Sequence, residues 1–307
     1  MGKSTEQNND FEDHEQNYKT NQLNNNNKTE DHEDKEEEQH KKKETVIYKE
    51  PSIFNIRPMD DITKIIHDFI WKYCQEEYVE IEAKLGVFID KRTSERANLY
   101  VKTETVIPKD IIRNYRFESN MPLSQHKYYN NILNDLVNKS NQKEYKGEPI
   151  KYRHIYEKDQ FHDVGRGIKH RVTIDEKTNK IVPNGIIEKK RIDDLNIHSP
   201  MHPLDFRISI NAEIPRPRPN SGYVYERKKD RLSYQHGGLN FDLTQVKTTT
   251  DKEPDLRHEL ELEFIDAQLL ATEKVKQERR EPNTFTSSIE RFVNNIRMLS
   301  KHAKMMS

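Results

Sequence analysis

The sequence predicts an α+β fold, mainly antiparallel β: a closed sheet that turns charged side chains inward and packs three helices outside. Three observations lead there. Between residues 78 and 265 most segments alternate with period two, and helical spacing is confined to three stretches around and among them. Several of the alternating segments carry charge of one sign on their polar face, where a solvated sheet would mix signs with Ser, Thr and Gln. Of the 307 residues, 34% are charged and only 32% hydrophobic, which suits a fold that keeps charge inside it, a disordered appendage, or both.

Residues 1–50 are the predicted appendage, a disordered polar tail. Asn, Gln, Glu, Asp and Lys dominate it, with Asn at 24–27 and Glu at 36–38, and apolar residues are too sparse to offset the entropy of ordering. The lysines at 41–43 sit beside an acidic block and read as solvated spacer. Met1-Gly2 opens a near-match to a myristoylation signal, but Glu6 stands where Ser or Thr is required. One ordered domain is predicted over 51–300, followed by a tail at 301–307. Its first helix is capped by Asp60 or Asp61 and carries Ile62, Ile65, Ile66, Phe69, Ile70 and Tyr73 on one stripe, with Trp71 and Cys74 as packing residues. Strands are expected at 78–90 and 99–107. A second helix follows Ser124, burying Tyr129, Ile132, Leu133 and Leu136. Further strands are expected at 150–158, 166–175, 185–193, 206–214, 223–234, 239–247 and 257–265, and a third helix from about Ser287 with Ile289, Phe292, Val293, Ile296 and Leu299 in register.

Bulk properties exclude several classes. With 52 basic and 53 acidic residues the net charge is −1, so global charge gives no argument for duplex binding. A single cysteine excludes an internal disulfide and a multi-cysteine zinc site, and with no signal peptide predicted it fits a reducing compartment. No apolar run approaches a membrane span. His258-Glu259 lacks the second histidine of a zincin helix.

The chemistry lies in the charged faces. In 78–90, Val79, Ile81, Ala83, Leu85 and Val87 share one face and Glu80, Glu82 and Lys84 the other; in 257–266, Leu260, Leu262 and Phe264 oppose Glu259, Glu261 and Glu263. Carboxylates about 7 Å apart along a strand repel one another unless cations compensate them. Basic residues alternate on intervening strands: Arg171, the pair Lys229 and Arg231, and Arg207 with Ser209, Asn211 and Glu213; Asp242 and Thr244 alternate against Phe241 and Leu243. Oxygen donors without a His or Cys cluster suit a hard cation, Mg²⁺ or Mn²⁺, and facing Arg and Lys suit phosphate oxygens, so together these parts can transfer a phosphoryl group to water. Residues 215–219, Pro-Arg-Pro-Arg-Pro, read as a rigid exposed loop.

Glu80-Ile81-Glu82-Ala83-Lys84, Lys229-Asp230-Arg231 and His258-Glu259-Leu260-Glu261-Leu262-Glu263, in that order, resemble the fungal RNA 5′-triphosphatases, the β subunits of yeast-type mRNA-capping enzymes within the triphosphate tunnel metalloenzymes. The resemblance covers roughly residues 55–297. It implies a closed eight-stranded tunnel barrel and removal of the γ-phosphate from triphosphate-ended RNA, the first step of mRNA capping. It further implies Mg²⁺ or Mn²⁺ held by Glu80, Glu82 and Glu263. Arg171, Lys229 and Arg231, with Lys189 added, would hold the terminal phosphate. Glu213 would orient or deprotonate the attacking water, Asp242 and Glu261 would hold metal-bound waters, and Glu259 would anchor the basic side chains. A homodimer, a guanylyltransferase partner and a nuclear address, with the cytoplasm as alternative, are implied in the same way.

Two departures stand out. Asn240 occupies a position, two before Asp242, that is often basic in the family, and the only tryptophan, Trp71, lies in a helix rather than in an upstream docking segment. The competing readings are a tunnel hydrolase of nucleoside triphosphates or inorganic polyphosphate, a non-capping paralogue, and a non-catalytic module of the capping apparatus.

Overall fold

The structure, a computed structural model, describes residues 50–249 and 255–303. The predicted tail therefore lies outside the described residues except at Glu50, and 304–307 lie outside them too. The chain divides into Met1–Ile56 and Arg57–Ser307. In the described part of the first unit the Ser52 hydroxyl donates to the Ile56 carbonyl at 2.6 Å.

The second unit holds α1 (Asp61–Tyr73), β1 (Val79–Asp90), β2 (Thr105–Val106), α2 (Lys109–Ile112), β3 (Tyr115–Glu118), α3 (Leu123–Ser140), β4 (Lys151–Asp163), β5 (Lys169–Asp175), β6 (Lys180–His198), β7 (Asp205–Pro215), β8 (Tyr225–His236), β9 (Leu239–Thr249), β10 (Asp255–Phe264), α4 (Ala267–Glu278) and α5 (Phe285–His302). Eight strands pair antiparallel in the order β10-β9-β8-β4-β5-β6-β7-β1, and β1 pairs with β10 to close the barrel. Closure removes the two free edges an open sheet would leave. β3 continues beside β1, and β2 beside β6. The β8–β9 hairpin turns on Gly237 (φ 59) and Gly238 (φ 80), a two-residue loop whose positive φ values match the strand twist.

The hydrophobic core lies outside the barrel wall. Ile81, Ala83 and Leu85 of β1, Phe206, Ile208 and Ile210 of β7, Leu243 of β9 and Leu260 and Leu262 of β10 pack there with residues of α1, α3, α4 and α5. On α5, Phe285, Ile289, Phe292, Val293 and Ile296 are 0% exposed; each such side chain contributes about 1.5–3 kcal/mol, so this helix anchors the wall. α1 is capped as expected, Asp60 accepting from Thr63 N at 3.0 Å. Trp71 packs edge-on against Phe285 and Cys74 is fully buried, as packing residues should be.

The structure also corrects the reading. Of the strand expected at 99–107 only Thr105–Val106 is β; Tyr100 has φ 55 and its amide donates to the Asn98 side chain, which turns the chain there. α2, β3 and α4 were not anticipated. α4 has no apolar stripe to announce it, since its buried residues are Ala267, Leu270, Glu273 and Lys274. Its one sequence signal is Asp266, which caps Gln268 N and Leu269 N. Leu136 and Ile65 are 43% and 42% exposed, at the margins of their helices' buried faces. β4 and β6 run longer than expected, and β6 bulges between Arg191 and Asp193, where the period-two signal breaks.

Candidate active site

Strand pleating turns one face of each barrel strand into the bore. The β1–β10 register sets Glu82 opposite Glu263 and Lys84 opposite Glu261. Lys84 ion-pairs with Glu261 and stands 4.0 Å from Glu259. Lys189 of β6 places Nζ 2.5 Å from Glu80 Oε2, 3.4 Å from Glu82 Oε2 and 3.9 Å from Glu213 Oε1. Asn211 of β7 donates from Nδ2 to Glu80 at 2.8 Å and to Glu82 at 3.1 Å, tying the two carboxylates together. Arg171 donates to Glu213 at 2.9 Å. Arg231 Nη1 lies 3.1 Å from Asp242 Oδ2, and Asn240 donates to Glu263 Oε1 at 3.0 Å. The sequence-predicted residues thus converge on one bore. Glu259 accepts from Ser119 at 3.1 Å, and among the described residues the basic side chain paired with it is Lys84.

Electrostatics distinguishes the acids. Burial works against the Glu261 charge, but Lys84, Lys189 and Arg231 outweigh it and hold the carboxyl well below the usual range. Glu263 goes the other way: burial first, then Asp242 and Glu80, push it up to about 7. Asp242 is also raised, chiefly by burial, against the pull of Arg231. Burial lowers Lys229, and Arg231 and Arg171 add to that. For Lys189 burial is outweighed by Glu80, Glu82 and Glu213, which raise it.

Among the described residues no three His, Cys, Asp or Glu side chains are drawn around a single point at ligand distance; Lys189 reaches in between Glu80 and Glu82 instead. The donor set nevertheless fits a hard divalent cation. It is all oxygen, Glu82 and Glu263 are cross-strand neighbours, Glu263 is crowded by like charge, and Asn211 Oδ1, Asn240 Oδ1 and Asp242 Oδ1 are buried without a protein hydrogen-bond partner.

Sequence reasoning missed several members of the site. Asp159 of β4, 1% exposed, lies 2.5 Å from Lys229 Nζ and accepts from Thr173 at 2.6 Å. The expected strand ended at 158, one residue short; extending its alternation from Ile155 through Glu157 reaches Asp159. Glu157 stands 4.0 Å from Arg231. Arg191 contacts Asp194 and Ser209 and stands 4.0 Å from Glu82; it is two residues on from Lys189 and ahead of the bulge, so the same alternation reaches it.

Comparison with known proteins agrees with this arrangement. Residues 56–305 match the family described as mRNA capping enzyme, beta chain. The chain is 31% identical over 262 residues to the mRNA-capping enzyme subunit beta of Schizosaccharomyces pombe, covering 82% of this chain and 84% of that protein. It is 29% identical over 230 residues to the polynucleotide 5′-triphosphatase CTL1 of Saccharomyces cerevisiae, covering 68% and 70%. It spans 64% and 51% of the corresponding Cryptococcus neoformans and Candida albicans subunits. The fold matches the S. pombe Pct1 RNA triphosphatase with a TM-score of 0.78 at 32% identity, covering 84% of this chain and all of that one; Pct1 has also been solved in complex with the Spt5 CTD. The chain belongs to the mRNA capping enzyme β-chain family.

Proposed function

We propose that this chain is a metal-dependent RNA 5′-triphosphatase that converts a triphosphate end to a diphosphate end for capping. The observation that carries the reading is the enclosure of Glu80, Glu82, Glu261 and Glu263 with Arg171, Lys189, Lys229 and Arg231 in one closed bore. Arg171, Lys189, Lys229 and Arg231 hold the terminal phosphate oxygens. Glu213, oriented by Arg171, takes a proton from the attacking water as its oxygen bonds to the γ-phosphorus. The bond from that phosphorus to the bridging oxygen breaks, releasing inorganic phosphate and leaving a diphosphate end. Asp242 and Glu261 accept hydrogen bonds from water in the bore, and Glu259 with Ser119 steadies Lys84. Glu80, Glu82 and Glu263 would hold Mg²⁺ or Mn²⁺, which when bound supplies positive charge to the phosphoryl oxygens. The catalytic unit is residues 51–300, flanked by 1–50 and 301–307. A nuclear site of action, a guanylyltransferase partner and a homodimer complete the proposal.

The test is phosphate release from γ-labelled triphosphate RNA, with tripolyphosphate as competitor. Glu80→Ala, Glu82→Ala and Glu263→Ala should each abolish release while the circular dichroism spectrum is kept. Full activity in all three removes the metal site; a far better specificity constant for tripolyphosphate removes the RNA assignment.

A further inference from the structure

Beyond the phosphate-binding bases, the bore wall changes character. Counting inward positions along β4, Ile155, Glu157, Asp159 and then Phe161 share a face; along β8, Arg231, Lys229, Arg227 and then Tyr225 do so. Phe161 and Tyr225 are direct partners in the β4–β8 register, and Phe161 is also opposite Arg171 in the β4–β5 register. The rings stack with centroids 4.4 Å apart and planes 12° apart. Both are half-buried and neither belongs to a hydrophobic core cluster. They stand at the end of the barrel where β4 finishes and β5 and β8 begin.

Two cations flank the rings. The Arg227 guanidinium is 5.2 Å from the Phe161 centroid and 5.7 Å from that of Tyr225, and Lys169 Nζ is 4.9 Å from the Tyr225 centroid. Among the described residues neither is in an ion pair, unlike Lys84, Lys189, Lys229 and Arg231 deeper in the bore. An aromatic pair beside two cations without a carboxylate partner is the chemistry that binds a single-stranded nucleotide: the rings take a base and the cations take its phosphates.

We propose that Phe161 and Tyr225, with Lys169 and Arg227, form a stacking platform for the first nucleoside of the RNA, placed to hold its base while the triphosphate reaches inward. The proposal rests on the triphosphatase reading. Its spacing is consistent with that reading: Phe161 is one inward step, about 7 Å of strand, from Asp159, the partner of Lys229. Stacking is indifferent to base identity, so the platform selects RNA ends over inorganic triphosphate without reading sequence.

The experiment compares kcat/KM for triphosphate-ended RNA and for tripolyphosphate in the full chain, Phe161→Leu and Tyr225→Leu. Leucine keeps apolar volume and removes the π-face. The ratio of the two constants should fall about tenfold in each variant. In parallel, a triphosphate RNA whose first base is 2-aminopurine should lose fluorescence on binding the full chain and retain it with Tyr225→Leu. An unchanged ratio, or no quenching by the full chain, overturns the platform and leaves the triphosphatase reading standing. Quenching without hydrolysis of either substrate supports the platform and overturns that reading.

Discussion

Asp159→Asn is the sharpest probe of how the bore holds its charge. The substitution keeps shape and the contact with Thr173 but removes the negative partner 2.5 Å from Lys229 Nζ. The Asp159 side chain is 1% exposed and that of Lys229 16%, so little water replaces the lost carboxylate. Breaking a buried pair from one side costs about 3–5 kcal/mol, and the partial exposure of Lys229 argues for the lower end, about 3 kcal/mol. Burial, Arg231 and Arg171 already lower Lys229, and Asp159 is the principal opposing influence. Without it Lys229 loses its proton at lower pH, so the alkaline limb of phosphate release moves acidward. Urea unfolding at pH 7 measures the stability, and a pH profile of kcat/KM measures the limb. Wild-type stability with an unmoved limb would refute the claim that this pair is electrostatically tied; lost stability with an unmoved limb would show that Lys229 charge is not needed for turnover.

Glu263→Gln should raise the melting temperature in chelator at pH 8, because its carboxyl is pushed up to about 7 and ionising it there opposes folding. The same variant should lose most of the melting shift that Mn²⁺ gives the wild type, and an unchanged shift would remove Glu263 from the metal set. Asp205→Asn tests the outer wall: Asp205 is 0% exposed and accepts from Phe88 N at 3.0 Å, Ser199 N at 2.9 Å and Arg96 Nη2 at 2.6 Å. Losing its charge should cost about 3 kcal/mol by urea unfolding at pH 7. Burial is outweighed by His198 and Arg96, so its folded pKa is lowered. Its contribution is therefore full above about pH 4 and lost as pH falls through the lowered value, so the gap between wild type and variant should narrow progressively as pH drops below about 4.

How much of this was legible in the sequence depends on what each element had to bury. β1 and β10 were clear because an apolar face backs onto helices while a charged face lines the bore, so both halves of the alternation carry signal. α5 was clear for the same reason, with Phe285, Ile289, Phe292, Val293, Ile296 and Leu299 on one stripe. β4 was blurred. Its outer face carries Tyr152, His154, Tyr156 and Lys158, so neither face is apolar and the alternation that would have exposed Asp159 is weak. α4 buries Lys274, whose partner, the Trp71 carbonyl, comes from a distant part of the chain. A sequence window holds no record of such partners. The pairing of Lys189 with Glu80 and Glu82 was unreadable for the same reason, although each residue alone was a candidate.

That pairing also explains how a barrel can fold around its own charge. Every basic residue proposed to hold the terminal phosphate already has a carboxylate partner: Lys189 with Glu80, Arg171 with Glu213, Lys229 with Asp159, Arg231 with Asp242. The protein is thereby spared bare charges in a poorly hydrated bore, and none of these contacts can be counted as binding energy. A phosphate arriving at Lys189 exchanges one anion for another, and the gain is the difference between the two. If Glu80 and Glu82 hold a divalent cation as proposed, they would leave Lys189, and its amine would be free for the substrate. Metal and triphosphate binding should therefore reinforce each other through Lys189. Replacing it with Met should uncouple them, so that metal affinity no longer rises when tripolyphosphate is added.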